Sequence, residues 1–184
     1  MKKIVSLLAA TFLFCLTINM YAQPKNPNDT IHWRAGKPLS WEDFKGKPKK
    51  ANGLTGEAFC MNYSKYEKPN PLKKTKYKVF AIWDRGKSWI DPKVKTPEEL
   101  LYYQTLFNIY ELNARKLRKE FSETKFGINP DQLFQAKYNS FNEALMDECR
   151  QYESETGSGT DREEVKKWSE KVNSELKLLD KYPE

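Results

Sequence analysis

Residues 96–121, TPEELLYYQTLFNIYELNARKLRKEF, decide the fold. The stretch opens with three helix-start signals: a hydroxyl at Thr96 to cap, Pro97 at the first helical position, and Glu99 three residues after the cap. Beyond them Leu101, Leu106, Ile109, Leu112 and Leu117 recur at mixed spacings of three to five. Arg115, Lys116, Arg118 and Lys119 load the C-terminal end, where cations suit the helix dipole. The pattern predicts one long helix over 97–121. Working outward, the chain before it reads as strand and the chain after it as helix.

Upstream, short β-type runs cover 31–33, 56–66 and 76–83, separated by Pro, Gly, Asn and Lys clusters. In the last run Tyr77, Val79, Ala81 and Trp83 share one face, and Lys76, Lys78, Phe80 and Ile82 share the other, so a sheet covered on at least one face is expected. Downstream, Asn129-Pro130-Asp131-Gln132 repeats the capping logic. Phe134, Tyr138, Phe141, Leu145, Cys149 and Tyr152 then follow at spacings of three and four. Gly157-Ser158-Gly159 breaks this second helix. Thr160 is expected to cap a third, striped by Val165, Trp168, Val172, Leu176 and Leu179. The class is α+β: a small N-terminal antiparallel sheet followed by three long helices, with no internal repeat.

The chain has 184 residues and a formal charge of +7. Residues 1–22 have the layout of a secretory signal peptide: Lys2 and Lys3, an apolar run from Ile4 to Ile18, and an end at Tyr21-Ala22. That run is only fifteen residues, interrupted by Ser6, Thr11 and Thr17, too short to span a bilayer comfortably, and no later stretch is apolar enough to do so. Phe14 before Cys15 argues against a lipid-modified cysteine. The expected organisation is a signal at 1–22, a polar Pro-containing leader at 23–30 and a single domain at 31–184. The expected address is exported, in the periplasm or the medium. Charge falls to +5 once Lys2 and Lys3 are lost, a mild bias spread over several segments that does not read as nucleic-acid binding. Lys47–Lys50 and Lys73–Lys78 are the densest basic clusters. They read as solvated loops, with phosphate or anionic lipid as the other reading. Cys60 and Cys149 remain after processing, and an oxidising compartment permits a bridge between them. Sequence leaves open whether they pair or stand as free thiols.

Residues 100–109 (LLYYQTLFNI) resemble the active-site helix of the bacterial predicted secreted zinc-dependent protease family described as domain of unknown function 922, which carries a His-Glu-Gln-x-His-Phe-Asp-Ile type motif. Residues 114–119 (ARKLRK) are similar to the basic helix end that follows it. Leu39-Ser40-Trp41-Glu42-Asp43-Phe44-Lys45-Gly46 is similar to the family's N-terminal signature, Lys87-Ser88-Trp89 resembles its Ser-Trp strand end, and Tyr152–Gly159 resembles the segment expected to hold a third histidine. The resemblance runs from about Ile31 to Leu179 and implies a zincin-like fold and zinc-dependent hydrolysis.

In that motif two His one turn apart grip a tetrahedral Zn²⁺ and the adjacent Glu serves as general base. Alignment on Gln104, Phe107 and Ile109 places Tyr102 and Leu106 at the paired ligand positions, Tyr103 at the base and Ser158 at the third ligand. Leucine has no lone pair, serine is a poor zinc ligand and a phenol is a weak base at neutral pH. His32, the one histidine of the chain, reads as a strand residue. No catalytic residue, metal or cofactor is therefore expected. Tyr102, Tyr103, Leu106 and Ser158 mark a degenerate former site whose residues read first as ordinary packing. Asp147, Glu148, Glu153 and Glu155 read as a solvated helix face rather than a hard-cation site. The leading expectation is an exported pseudo-protease that binds a peptide or protein partner. The other readings are a hydrolase in which Tyr103, Ser158 and nearby carboxylates act without zinc, and a purely structural envelope protein.

Overall fold

The computed structural model describes residues 29–49, 55–67, 76–127 and 130–184. The expected signal segment, all but the end of the leader, Lys50, Lys73, Lys74 and Asn129 lie outside the described residues.

The α+β order stands: strands first, then three helices. A three-stranded antiparallel sheet has the order β1-β4-β3, with β1 at Thr30–His32, β3 at Cys60–Glu67 and β4 at Lys76–Asp84. A second, two-stranded antiparallel pair joins β2 (Gly56–Glu57) to β5 (Trp89–Ile90). The expected strand over 56–66 is thus β2 and β3 in succession. It changes partner at Ala58-Phe59, because Asp84 to Ser88 bend away between β4 and β5.

Helix α1 (Pro97–Glu123) begins as its sequence predicts, the Thr96 hydroxyl accepting from Glu99 N–H at 3.2 Å. It is the spine of the molecule, with fourteen of its residues buried. Helix α2 (Asp131–Glu155) starts at Asp131 with Pro130 before it and no side-chain cap. Helix α3 (Arg162–Leu178) corrects one expectation: Asp161, not Thr160, is its cap, its carboxylate accepting from Glu164 N–H at 3.0 Å. The Thr160 hydroxyl donates instead to the Gly157 carbonyl at 2.9 Å, and the carboxylate one residue nearer the helix suits the N-terminal dipole better.

Val79, Ala81 and Trp83 of β4 face α1 and join a core with Ile109, Leu112, Leu117, Leu145, Val165 and Val172. Burying a side chain of that size contributes about 1.5–3 kcal/mol, so these stripes fix which faces of the three helices meet. Among the described residues no helix is long and apolar enough to cross a membrane.

Candidate functional site

The first three turns of α1 place Tyr102, Tyr103 and Leu106 inward, and all three are buried. Tyr103 packs edge-to-face on Phe44 with centroids 5.1 Å apart, and on Trp83 at 6.3 Å. Its hydroxyl lies so close to Gly56 of β2 that a Cβ there would stand 2.2 Å from Oη. Tyr102 meets Tyr103 edge-on at 5.2 Å and stacks on Tyr152 of α2 at 5.1 Å and 17°. Tyr152 in turn donates to the Tyr102 carbonyl at 3.0 Å and lies against Trp168 of α3.

The α2–α3 turn closes over this stack. Gly157, Ser158 and Gly159 all have positive φ, of 54°, 54° and 91°. Ser158 N–H reaches the Glu153 carbonyl at 2.7 Å, and Gly159 N–H reaches the Thr156 carbonyl at 3.0 Å. Gly159 sits directly on Tyr102, where a Cβ would be 2.9 Å from the ring, so glycine here serves both the left-handed backbone and the close approach. Ser158 itself is exposed.

The segments that carry the family resemblance are therefore neighbours. Leu39 N–H donates to Gln104 Oε1 at 2.6 Å, Phe44 packs on Tyr103, Gly46 N–H donates to the Ser88 carbonyl at 2.8 Å, and Gly159 covers Tyr102. Zinc, which the resemblance implies, does not fit the residues at this meeting point. Aromatic rings fill the space beside Tyr102, and the phenols hold their protons. Burial pushes Tyr102 well above the usual tyrosine range, with Glu153 and Glu99 adding to the shift. Tyr103 is raised the same way, by burial and then Glu99. A neutral buried phenol offers neither a metal ligand nor a base at neutral pH. Among the described residues no three His, Cys, Asp or Glu side chains form a group that could hold a metal ion.

Of the four acidic residues singled out on α2, Asp147 pairs with Arg150, Glu148 with Lys116 at 3.8 Å, Glu155 accepts from Trp168 Nε1 at 2.8 Å, and Glu153 is exposed. Cys60 and Cys149 are both free thiols. Burial raises each, Cys60 well above its usual value and Cys149 to about 12, with Glu153 and Glu148 adding to the shift of Cys149. A thiol so protonated is a poor nucleophile.

Sequence reasoning missed a polar stripe on α1 at spacings of four and three. Gln104 and Asn108 are joined at 2.8 Å, and Asn108 also accepts from Trp33 Nε1 at 2.7 Å and donates to Asn173 of α3 at 3.0 Å. Below them the buried Glu111 carboxylate takes Arg115 at 2.9 Å and Arg118 at 3.0 and 3.1 Å. Arg115 continues to the Leu176 carbonyl and Asp180, and Arg118 to the Val79 and Tyr182 carbonyls. This network ties the C-terminal tail to α1 and β4. Its spacing of four and three is present in the sequence, where the arginines alone suggest only cations suited to the helix dipole.

A shallow depression of about 460 Å³, lined by Lys116, Lys119, Glu120, Phe141, Glu175 and Leu179 among others, lies between the helices. At 1.5 Å per residue it begins about 20 Å along α1 from Tyr102. One further feature adjoins Tyr103. Thr55 O accepts from Asp91 N–H at 2.7 Å and Phe59 O from Asp84 N–H at 2.9 Å. Odd-numbered residues of 55–61 thus turn their backbone groups inward to β5 and β4, and Gly56, Ala58 and Cys60 turn theirs outward. No strand pairs on that outer side among the described residues. The first outward carbonyl with a side-chain partner is that of Asn62, which accepts from Tyr138 Oη at 2.8 Å.

In comparisons with known proteins, no family model, no curated protein and no solved structure matches the chain.

Proposed function

We propose that the chain is an exported, non-catalytic relative of the zinc-protease family, with a zincin-like scaffold, that binds an extended peptide or protein segment along the outer edge of β2 and the start of β3. The observation that carries this reading is the open edge at Gly56, Ala58 and Cys60, next to a former site filled by Tyr102 and Tyr103. Strand addition uses backbone hydrogen bonds and needs no metal, so it survives replacement of the ligands and the base. Packed rings in place of histidines exclude the water a hydrolase would activate, and Gly56 keeps the edge close to α1.

The test is selection of the mature chain against a phage-displayed dodecapeptide library, with the Ala58→Pro variant as the control. Proline at 58 deletes one outward N–H and leaves the inward ladder intact. The expected result is an enriched peptide set whose binding protects the amides of 56–60 from exchange and is lost in Ala58→Pro, while the melting temperature holds. Enrichment of nothing above background, or peptides bound equally by Ala58→Pro, would overturn the reading.

A further inference from the structure

Helix α1 covers one face of the main sheet, and α2 and α3 pack on α1. On the other face the alternation of β3 and β4 exposes a different surface. Phe59, Met61 and Tyr63 stand on it from β3 and its approach, Phe80 from β4, and all four are half-buried. None belongs to the main core. Tyr63 stacks on its cross-strand partner Phe80 with centroids 6.3 Å apart, and His32 meets Phe80 edge-on at 5.0 Å.

Lysines rim these rings. The Lys65 ammonium lies 5.8 Å from the centre of Phe80, and those of Lys49 and Lys87 lie 5.7 and 5.6 Å from the centre of Phe59. Three acids nearby are taken, Glu57 by Lys49 at 2.7 Å, Asp84 by Lys87 at 3.3 Å and Glu184 by His32 at 2.8 Å, and Glu67 stands opposite Lys76 at the end of the ladder. Lys65 and Lys78 are directly opposed across β3 and β4. Like charges so placed destabilise a sheet, and neither forms an ion pair with a described carboxylate. Lys76 continues the row on the same face.

We infer that this face docks on an anionic lipid bilayer, with Phe59, Tyr63 and Phe80 settling at headgroup level and Lys65, Lys76 and Lys78 binding lipid phosphates. Half-exposed aromatic rings with lysines around them suit an interface that is apolar at its centre and negative at its surface. An anion between Lys65 and Lys78 would also relieve their repulsion. A soluble polyanion would match the lysines and leave the rings unanswered. A second copy of the chain would set these lysines against their own kind. Phe59 is the one residue this face shares with the β2–β3 edge, and the lysine row lies beyond it, so the lysine variants let this proposal and the peptide reading fail independently.

The test is co-sedimentation of residues 23–184, which retain every described residue, with vesicles of phosphatidylcholine and phosphatidylglycerol at 3:1, and with phosphatidylcholine alone. Binding is expected only to the anionic vesicles and is expected to fade at high salt. Each lysine near such a surface contributes roughly fivefold to partition, so Lys65→Gln, Lys76→Gln and Lys78→Gln together should lower it about a hundredfold. The melting temperature of that triple variant should change little, because removal of the opposed Lys65–Lys78 pair offsets loss of Lys76 opposite Glu67. Phe59→Ser should weaken binding several-fold with the lysines intact. No preference for anionic vesicles, an unchanged triple variant, soluble polyphosphate competing as well as vesicles do in a way Phe59→Ser leaves untouched, or self-association in place of vesicle binding would each overturn the proposal.

Discussion

Gly56→Ala tests whether the space around Tyr103 is a packed interior. The added Cβ would lie 2.2 Å from Tyr103 Oη and 2.7 Å from Ile90 Cδ1. The tyrosine cannot simply swing away, because its ring is held between Phe44, Trp83 and Tyr102. Overpacking of this kind costs about 1–3 kcal/mol, which for a chain of this length lowers the melting temperature by roughly 3–10 °C. Tyr103→Phe removes the nearer of the two clashing atoms and keeps the ring, so on its own it should change stability little. Combined with Gly56→Ala it should recover about 1 kcal/mol or more of the loss, a coupling well outside the additivity of independent sites. Urea unfolding of the parent, the two single variants and the double variant gives the four free energies. Additive effects, or a Gly56→Ala chain as stable as the parent, would refute the packing of Tyr103 against β2. They would point instead to an open cleft in which the hydrolase reading revives.

Three further outcomes follow from the same geometry. Ser158 at φ 54° should respond oppositely to glycine and to a β-branched residue: Ser158→Gly should gain about 0.5 kcal/mol and Ser158→Val should lose about 1–2 kcal/mol in urea melts, and equal effects would place the strain elsewhere. Glu111→Gln leaves Arg115 and Arg118 buried without their shared carboxylate and should cost about 3–5 kcal/mol, with the C-terminal tail losing amide protection first; a loss under about 1 kcal/mol would deny the network its role. Iodoacetamide should label the native thiols far more slowly at pH 8 than the unfolded ones, because burial raises both Cys60 and Cys149. Cys149 keeps its proton in the fold to about pH 12 and gives it up near the ordinary 9.0 when unfolded. Its contribution to stability is therefore constant below about pH 9 and lost as pH rises toward 12; equal labelling of native and unfolded chains, or an unfolding free energy flat to pH 12, would contradict that burial.

Most of the fold was legible because it rests on short-range signals. The Thr96-Pro97-Glu98-Glu99 start, the alternation of Lys76 to Trp83 and the stripe from Val165 to Leu176 each depend on periodicity or capping chemistry that a single segment carries in full. Misreadings lie where neighbours compete. Thr160 and Asp161 are both competent caps, and the turn geometry of Gly157-Ser158-Gly159 decides between them. The break at Ala58-Phe59 depends on a bend in the partner strand and leaves no mark in 56–66 itself. At the former site the sequence named Tyr102, Tyr103, Leu106 and Ser158, and the fold brings the Gly157–Gly159 turn onto Tyr102. The part played by Tyr152, which stacks on Tyr102 from α2, is a long-range contact that no local pattern encodes. The same holds for Glu111, whose two arginines read locally as helix-end charges and in the fold reach Val79, Leu176, Asp180 and Tyr182.

The central claim is that this scaffold has exchanged a metal site for packed rings. Elemental mass spectrometry of the purified mature chain, after incubation with excess Zn²⁺ and desalting, tests it most directly. With Tyr102, Tyr103, Leu106 and Ser158 in place of ligands and base, less than about a tenth of an equivalent of zinc should remain; close to one equivalent, lost on chelation, would contradict the claim.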